Sequence, residues 1–356
     1  MSQPSAPALD PDAAGNASLR RSEGQARTDF RVVVVAGGLD FERDVSMRSG
    51  RRVSAALRHA GLDVEVLDAD ARLLPALAEH PCDAVFIALH GASGEDGSLR
   101  SVLELAGVPY AGSGFTASRL AWDKPGAKVR VRDAGIATPD WVALPHSTYR
   151  ELGAGAVLDL ILSRLGLPLM LKPAQGGSAL GTVKVSTVQE LPEAMIGSFA
   201  YADSVLIERF ISGTEIAVSV IDRPGGPAAL PAVEIVPRSG VFDYAARYTP
   251  GMTEYFTPAR LDDTTAARAA EVALSVHRTL GLSGLSRTDA IVTPDGEVHF
   301  LEVNVSPGMT DTSMLPMSVA AAGLDLGTVL ADLLRAAARP TGSRLPAHDT
   351  GNVTAG

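Results

Sequence analysis

The chain is 356 residues long, 46% hydrophobic and 20% charged, with a formal charge of −10. That length accommodates two or three domains with sizeable cores, and the composition excludes a disordered or fibrous chain. The acidic balance argues against a nucleic-acid partner, because neutralising phosphates takes a basic face, but it leaves room for a small anionic ligand held by local positive charge.

Residues 1–28 are polar, rich in Ala, Ser and Pro and without apolar periodicity, so they read as a disordered extension with no signal-peptide core. RVVVVAGG then reads as a buried parallel strand, SMRSGRRVSAALRHAG as a helix, and DVEVLDA and DAVFIAL as further strands. Strand, helix and strand in this rhythm predict a parallel α/β sheet over residues 29–122, half of a doubly wound fold. The turn after the first strand, GGLDFERD, lacks G-x-G-x-x-G and gives no dinucleotide signature. The single cysteine, Cys82, precedes a strand and reads as buried; alone it excludes an internal disulfide and a thiolate metal cluster.

A second block, 123–212, begins with a helix in DKPGAKVRVRDAG. It continues with two short strands around a loop in LPLMLKPAQGGSALGTVKV and two strands joined at Ser212-Gly213 in VLIERFISGTEIAVSVI. A third block, 213–337, holds the polar loop PRSGVFDYAARYTPGMTEYF, a helix in TTAARAAEVALSVHRTLG, a hairpin and the terminal helix DLGTVLADLLRAAA. Residues 338–356 read as a flexible tail. No H-E-x-x-H occurs, and no apolar run approaches the ~20 residues of a membrane span. A cytoplasmic enzyme is expected.

The chemistry concentrates in GLSRTDAIVTPDGEVHFLEVNVSPGMT. Asp295-Gly296 between two β-like runs predicts a two-residue hairpin turn. Asp289 then faces Glu302 and Arg287 faces Asn304, all four on one face of the sheet. Opposed carboxylates need a cation between them, and Asp, Glu and Asn oxygens suit Mg²⁺ or Mn²⁺. Glu302 could bridge two ions while Asp289 and Asn304 each hold one. The plainer reading is a solvated face with salt bridges to Arg287. In KPAQGGSALG, Lys172 precedes its glycines, the reverse of a P-loop. It fits a phosphate ligand presented from a strand, with Gly176, Gly177 and Gly181 letting the loop fold over phosphates. Alone, the segment reads equally as a flexible hairpin. Glu208 and Glu215 read as surface charges, or near a nucleotide as acceptors for adenine or ribose. His90 and Glu95 follow a buried strand, where open α/β sheets place ligands.

In this order, AGGLDFERDVSMRSG, ALHGASGEDGSL, GVPYAGSG, KPAQGGSALG, ERFISGTE, EIVPRSGVFDYAARYTPG, SRTD and LEVNVSPGMTDTSMLP resemble the D-alanine–D-alanine ligase family of the ATP-grasp superfamily, from about Val32 to Leu334. The resemblance implies an α/β N-terminal pre-ATP-grasp, Rossmann-like substrate domain (29–122). A two-lobed α+β ATP-grasp fold follows, with a central lobe (123–212) and a C-terminal lobe carrying metal and acceptor sites (213–337). It implies ATP with two Mg²⁺ or Mn²⁺, D-alanine as substrate, and a homodimer. By resemblance, Lys124, Lys172, Gly177, Ser178 and Arg247 would meet the ATP phosphates. Glu208, Phe210, Ile211 and Glu215 would hold adenosine, and Asp289, Glu302 and Asn304 the metal. Glu42 would anchor the first ammonium with His90 nearby, and Ser178 and Tyr248 would link the glycine loop to Glu42. Arg287 and the Gly308 N–H would stabilise the oxyanion, and Ser313 and Met314 would bind the second substrate's carboxylate.

The implied chemistry forms an acyl phosphate from the first carboxylate and the γ-phosphoryl of ATP, then lets the second amine displace phosphate, under a lid formed by the 237–251 segment. The chain departs from the family pattern at Arg247 (usually Lys), Gly176 (Glu), Arg100 (Gln), Met314 (Leu) and Pro125. These departures motivate a second reading, a ligase of the same mechanism with another D-amino or D-hydroxy acid, although Tyr248 favours an amino acid. A third reading, nucleotide binding without ligation, predicts loss of the metal ligands or Arg287, and all are present.

Overall fold

The computed structural model describes residues 30–249 and 251–339. The expected disordered extension lies outside the described residues, as does the expected tail apart from Ala338 and Arg339. Among the described residues, strands fall into three sheets that follow one another along the chain. Strands β1 (Arg31–Ala36), β2 (Asp63–Asp68) and β3 (Ala84–Ile87) pair in parallel in the order β2-β1-β3. Val32 to Val35 are 0–1% exposed because helices cover both faces, as a continuous apolar run requires. The helix Arg43–His59 packs on one face. So does the last helix, Leu326–Ala337, whose Leu330, Leu333 and Leu334 join Val32, Val34, Leu57 and Phe86 in one core. The end of the chain thus returns to its beginning, and a side chain at Gly327 would meet the Ala56 carbonyl at 2.3 Å.

The second sheet is antiparallel: β4 (Trp141–Pro145), β5 (Leu169–Pro173), β6 (Val183–Val185) and β7 (Ser204–Arg209), in the order β4-β7-β5-β6. Its inner face (Leu169, Leu171, Val205, Ile207) packs on the helices Ala154–Leu165 and Leu191–Phe199 through Ile161 and Leu191. Period-two alternation turns Lys172 and Glu208 to the opposite face.

The third sheet holds β8 (Thr214–Arg223), β9 (Gly226–Ala229), β10 (Val233–Pro237), β11 (Thr253–Phe256), β12 (Leu285–Val292) and β13 (Val298–Asn304). Its order is β11-β10-β8-β12-β13, with β9 paired to β8. The helix Asp263–Thr279 covers it, packing Ala269 and Ala273 on Ile216, Val218 and Val220. Asp262 caps this helix by accepting the Thr265 N–H at 3.0 Å. The polar loop of the third block contains a short helix, Tyr244–Tyr248, and β11.

The strands joined at Ser212-Gly213 are β7 and β8, and they enter different sheets. Gly213 lets the chain cross against β12: a Cβ there would lie 2.2 Å from the Val292 carbonyl oxygen. The hairpin turn is longer than expected. Thr293 N–H donates to Glu297 O at 2.9 Å, leaving a three-residue loop with Gly296 at φ +79. Ala290, Ile291 and Val292 therefore pair with Phe300, His299 and Val298, one residue off the expected register. A β-bulge beyond Asp289 shifts the register back, so Asp289 faces Glu302 and Arg287 faces Asn304. The longer loop and the bulge cancel at the functional end.

Gly213→Ala should lower stability by about 2–4 kcal/mol, because the clash is with backbone that cannot swing away. Denaturant unfolding would show it as a lower midpoint at an unchanged slope.

Candidate functional site

Two cavities meet at the ends of β12 and β13. The larger, about 410 Å³, lies between the second and third sheets, within the range of small-molecule sites. It is lined by Lys124, Lys172, Gly177, Glu208, Phe210, Ile211, Glu215, Arg247, Asp289 and Glu302. The smaller, about 80 Å³, lies between the third sheet and the loops after β1 and β3. Glu42, His90, Ser178, Arg247, Arg287, Asn304, Gly308, Ser313 and Met314 line it. The residues read from the sequence as nucleotide, metal or substrate ligands border one cavity or the other, apart from Tyr248, whereas Gly181, Arg100 and Pro125 line neither. Tyr248 ends the short helix Tyr244–Tyr248, and its side chain lies outside what the structure describes.

Arg287 and Asp289, two apart on β12, form a bidentate pair: Nε to Oδ1 at 2.7 Å and Nη2 to Oδ2 at 2.8 Å. They are 5% and 4% exposed, so this is the salt bridge of the plainer sequence reading, but buried rather than solvated. Burial works against the guanidinium charge, yet Asp289, Glu302 and Glu95 hold its pKa above the ordinary value. Glu302 sits across the hairpin, with Lys124 Nζ 3.5 Å from its Oε2. Burial opposes its ionisation, but Lys124, Lys172, Arg247 and Arg287 keep it well below the usual carboxylate range. Asn304 Oδ1 accepts the Ser306 N–H at 2.7 Å.

The glycine-rich loop after β5 reaches across to the first sheet. Ser178 Oγ donates to Glu42 Oε1, and a Cβ on Gly177 would stand 2.8 Å from Glu42 Oε2. Ser178 and Ala179 take left-handed conformations (φ 53 and 56), which cost a non-glycine residue of order 1 kcal/mol each. Lys124 Nζ donates to the Gly176 carbonyl at 2.6 Å, fastening the loop from below. Gly176 has φ +145, a backbone that does not suit the family's usual glutamate. Pro125 lies in the first turn of the helix Lys124–Asp133, where it costs no hydrogen bond.

His90 is buried between Ser306 O (3.1 Å from Nδ1) and Ser49 Oγ (2.8 Å from Nε2). A carbonyl only accepts, so Nδ1 carries the proton and Ser49 donates to Nε2 while accepting the Met309 N–H at 3.2 Å. Burial lowers the His90 pKa to about 4. It is a neutral brace for the 306–309 loop, with both nitrogens committed, rather than a ligand for an ammonium group. Glu95, offered by the sequence beside His90, also lines the smaller cavity; its carboxylate accepts the Gly91 N–H at 3.1 Å. Burial first, then the neighbouring Glu42 carboxylate, push its pKa far above the usual range. Arg100, 2% exposed, donates to the carbonyls of Gly94 and Val305, so this departure joins the Glu95 loop to the end of β13.

At the other end of the larger cavity, Phe210 N–H is committed to Pro168 O at 3.0 Å and cannot serve as a donor to a base. Burial, together with Asp289 and Glu302, raises the Glu215 pKa to about 7. Glu208 is not the exposed charge of the plainer reading: it is 1% exposed and ion-paired to Lys172 at 2.6 Å and to Lys128 at 2.5 Å. The sequence reading missed Lys128, which lies four residues, one helical turn, after Lys124. Only that spacing could have flagged it.

The smaller cavity ends at Ser313, the N-cap of the helix Met314–Ala321. Ser313 Oγ accepts the Thr310 N–H at 2.9 Å, and a Cβ on Gly308 would stand 2.6 Å from the same oxygen. The far wall is therefore a helix N-terminus, which favours an anion.

Family models described as D-ala D-ala ligase C-terminus and N-terminus match residues 131–335 and 74–113. A D-alanine–D-alanine ligase of Anaeromyxobacter sp. (strain K) is 41% identical over 311 residues, 87% of this chain and 98% of that protein. One of Bordetella petrii is 40% identical over 323 residues, 91% and 97% of the two chains. Among solved structures, a D-alanine–D-alanine ligase from Bacillus anthracis superposes with a TM-score of 0.74 at 32% identity, over 87% of this chain and 97% of that one. The VanG D-Ala:D-Ser ligase from Enterococcus faecalis gives 0.73 at 29% identity, over 86% and 99%. With a parallel sheet leading into two antiparallel sheets that enclose the larger cavity, and with these relatives matching over most of their length, the chain belongs to the D-alanine–D-alanine ligase family of ATP-grasp ligases.

Proposed function

We propose that the protein joins two D-alanines using ATP, through a D-alanyl phosphate, for peptidoglycan precursor synthesis. The observation that carries this reading is the meeting of two unlike cavities at the buried Arg287–Asp289 pair, with Arg287 lining the smaller and Asp289 the larger. The larger brings Lys124, Lys172 and Arg247 towards a polyanion. The smaller has carboxylates at one end and a helix N-terminus at the other, matching two small zwitterions laid head to tail.

On this reading Glu42 binds the ammonium group of the first substrate and directs its carboxylate towards the larger cavity. A carboxylate oxygen attacks the γ-phosphorus of ATP, and ADP leaves. Ser313 and the backbone at Met314 hold the second substrate's carboxylate, so its amine faces the acyl carbon. The amine attacks once it has lost a proton, and Arg287 with the Gly308 N–H steadies the oxyanion until phosphate departs. The glycine loop fastened to Glu42 excludes water from the acyl phosphate. Asp289, Glu302 and Asn304 offer only oxygen donors on one buried face, a set that fits Mg²⁺ or Mn²⁺. Arg287 and Lys124 balance the two carboxylates of that set. These residues would hold the ions, which would neutralise phosphate charge when bound.

The VanG superposition keeps a D-serine acceptor as a second reading, because Met314 lines the acceptor end. The test is ADP release with purified protein, ATP and Mg²⁺, on D-alanine alone and on D-alanine with D-serine or D-lactate, with products identified by mass. D-alanine alone should give the dipeptide. Turnover only with a second acceptor would transfer the assignment to the other reading, and ATP binding with no ADP under any mixture would remove both.

Glu95 gives a pH-dependent prediction. Its folded-state pKa is raised, so its contribution to stability is fully present below the unfolded value and lost as pH rises through the folded one. Glu95→Gln, which mimics the protonated acid, should match the parent near pH 4 and be more stable by about 1–3 kcal/mol near pH 9. Denaturant midpoints at the two pH values would check it; equal differences at both would contradict it.

A further inference from the structure

Glu208 has two lysine partners where one would neutralise it. Lys172 Nζ is 2.6 Å from one carboxylate oxygen and Lys128 Nζ is 2.5 Å from the other. Both lysines are buried, but their surroundings differ. Lys172 and Glu208 line the larger cavity, and Lys128 stands behind them without touching it. Lys128 is 0% exposed; its Nζ donates to Thr138 Oγ1 at 2.6 Å, and that hydroxyl donates to Phe300 O at 2.8 Å. The Trp141 and Phe300 rings close the rest of its shell, with centroids 5.5 and 5.9 Å away.

The two lysines respond oppositely to the carboxylate they share. Burial lowers the Lys128 pKa to about 8, with Lys172 adding to the fall. Burial acts the same way on Lys172, but Glu208, Glu302 and Glu215 together raise it. Lys172 thus faces three carboxylates and the cavity, whereas Lys128 faces Glu208 alone. Placing a second ammonium in so dry a setting is costly, and a fold that needed only to neutralise Glu208 would not require it.

The requirement appears when Lys172 has work to do. With Lys172 as sole partner, turning its ammonium towards a phosphate would strand a buried carboxylate, and the anion would have to compete against a short, desolvated ion pair. With Lys128 in place, Glu208 stays paired whichever way Lys172 turns. We propose that Lys128 is a positioning residue, the standing counter-ion of Glu208, which frees Lys172 to bind the phosphates of the nucleotide. This rests on the reading of the larger cavity as a nucleotide site.

The test measures Mg·ATP binding by calorimetry and steady-state kinetics on the full chain. Lys128→Met should weaken Mg·ATP binding and raise KM for ATP by ten- to a hundredfold, with kcat and KM for D-alanine within about threefold. In a Glu208→Gln background, where any nucleotide contact of that carboxylate is already gone, the same Lys128→Met change should cost less than about threefold in affinity, since a neutral amide no longer holds Lys172. A general packing defect would persist in that background. Wild-type affinity in Lys128→Met, or a tenfold loss that the change still causes beside Glu208→Gln, overturns the proposal. If Lys128→Met does not fold, the pair Glu208→Gln and Lys128→Met/Glu208→Gln decides. The two should bind Mg·ATP within threefold of each other, because Lys128 then has nothing to balance, and a further tenfold loss in the double variant overturns the idea. A parent protein that binds no Mg·ATP would instead remove the nucleotide reading.

Discussion

The bidentate contact between Arg287 and Asp289, at 2.7 and 2.8 Å with both groups nearly out of solvent, is the interaction around which the site is arranged. A charge withdrawn from water must be balanced where it stands. On the face that β12 and β13 share, each carboxylate has a cation from another part of the chain or from its own strand: Arg287 for Asp289, Lys124 for Glu302. The same rule pairs Glu208 with Lys128 and Lys172. The pair on β12 separates two compartments, since Arg287 borders the smaller cavity and Asp289 the larger. A reaction that transfers a phosphoryl group in one compartment and forms a bond in the other would have that boundary at its centre.

Three sheets supply the parts, and few contacts bring them together. Glu42 comes from the turn after β1, Ser178 and Gly177 from the loop after β5, and His90 holds the 306–309 loop to the first sheet through Ser49 and Ser306. The last helix, packed on the first sheet, closes the chain into one arrangement. Some of this geometry costs stability. The left-handed Ser178 and Ala179, and the crowding of Glu95 against Glu42, are features that packing alone would not select. On the proposed function they suit a loop that closes over an acyl phosphate, beside carboxylates that would receive an ammonium group.

Much of the site was legible in the sequence because period-two alternation survives local error. A two-residue turn at Asp295-Gly296 paired Asp289 with Glu302 correctly, although the loop has three residues, because a bulge beyond Asp289 restored the register. The strand on each side of the Lys172 loop was likewise readable from its apolar pattern. Less legible was the order of strands within each sheet: the segment across Ser212-Gly213 reads as two consecutive strands, and only the structure shows β7 beside β4 and β5 and β8 beside β10 and β12, with Gly213 against Val292. Lys128 and Arg100 were not legible as buried charges, since a cation on a helix ordinarily faces solvent and only its distant partners, Glu208 and the Val305 carbonyl, reveal otherwise. The bracing role of His90 was not legible, because its two serine partners are 41 and 216 residues away.

The proposed reaction phosphorylates a carboxylate before an amine attacks it. D-Alanine labelled with ¹⁸O in its carboxylate, turned over with ATP and Mg²⁺, tests this directly through the mass of the phosphate released. Each phosphate should carry one ¹⁸O, in the oxygen that bridged carbon and phosphorus. Unlabelled phosphate, or label appearing in AMP instead, would contradict it.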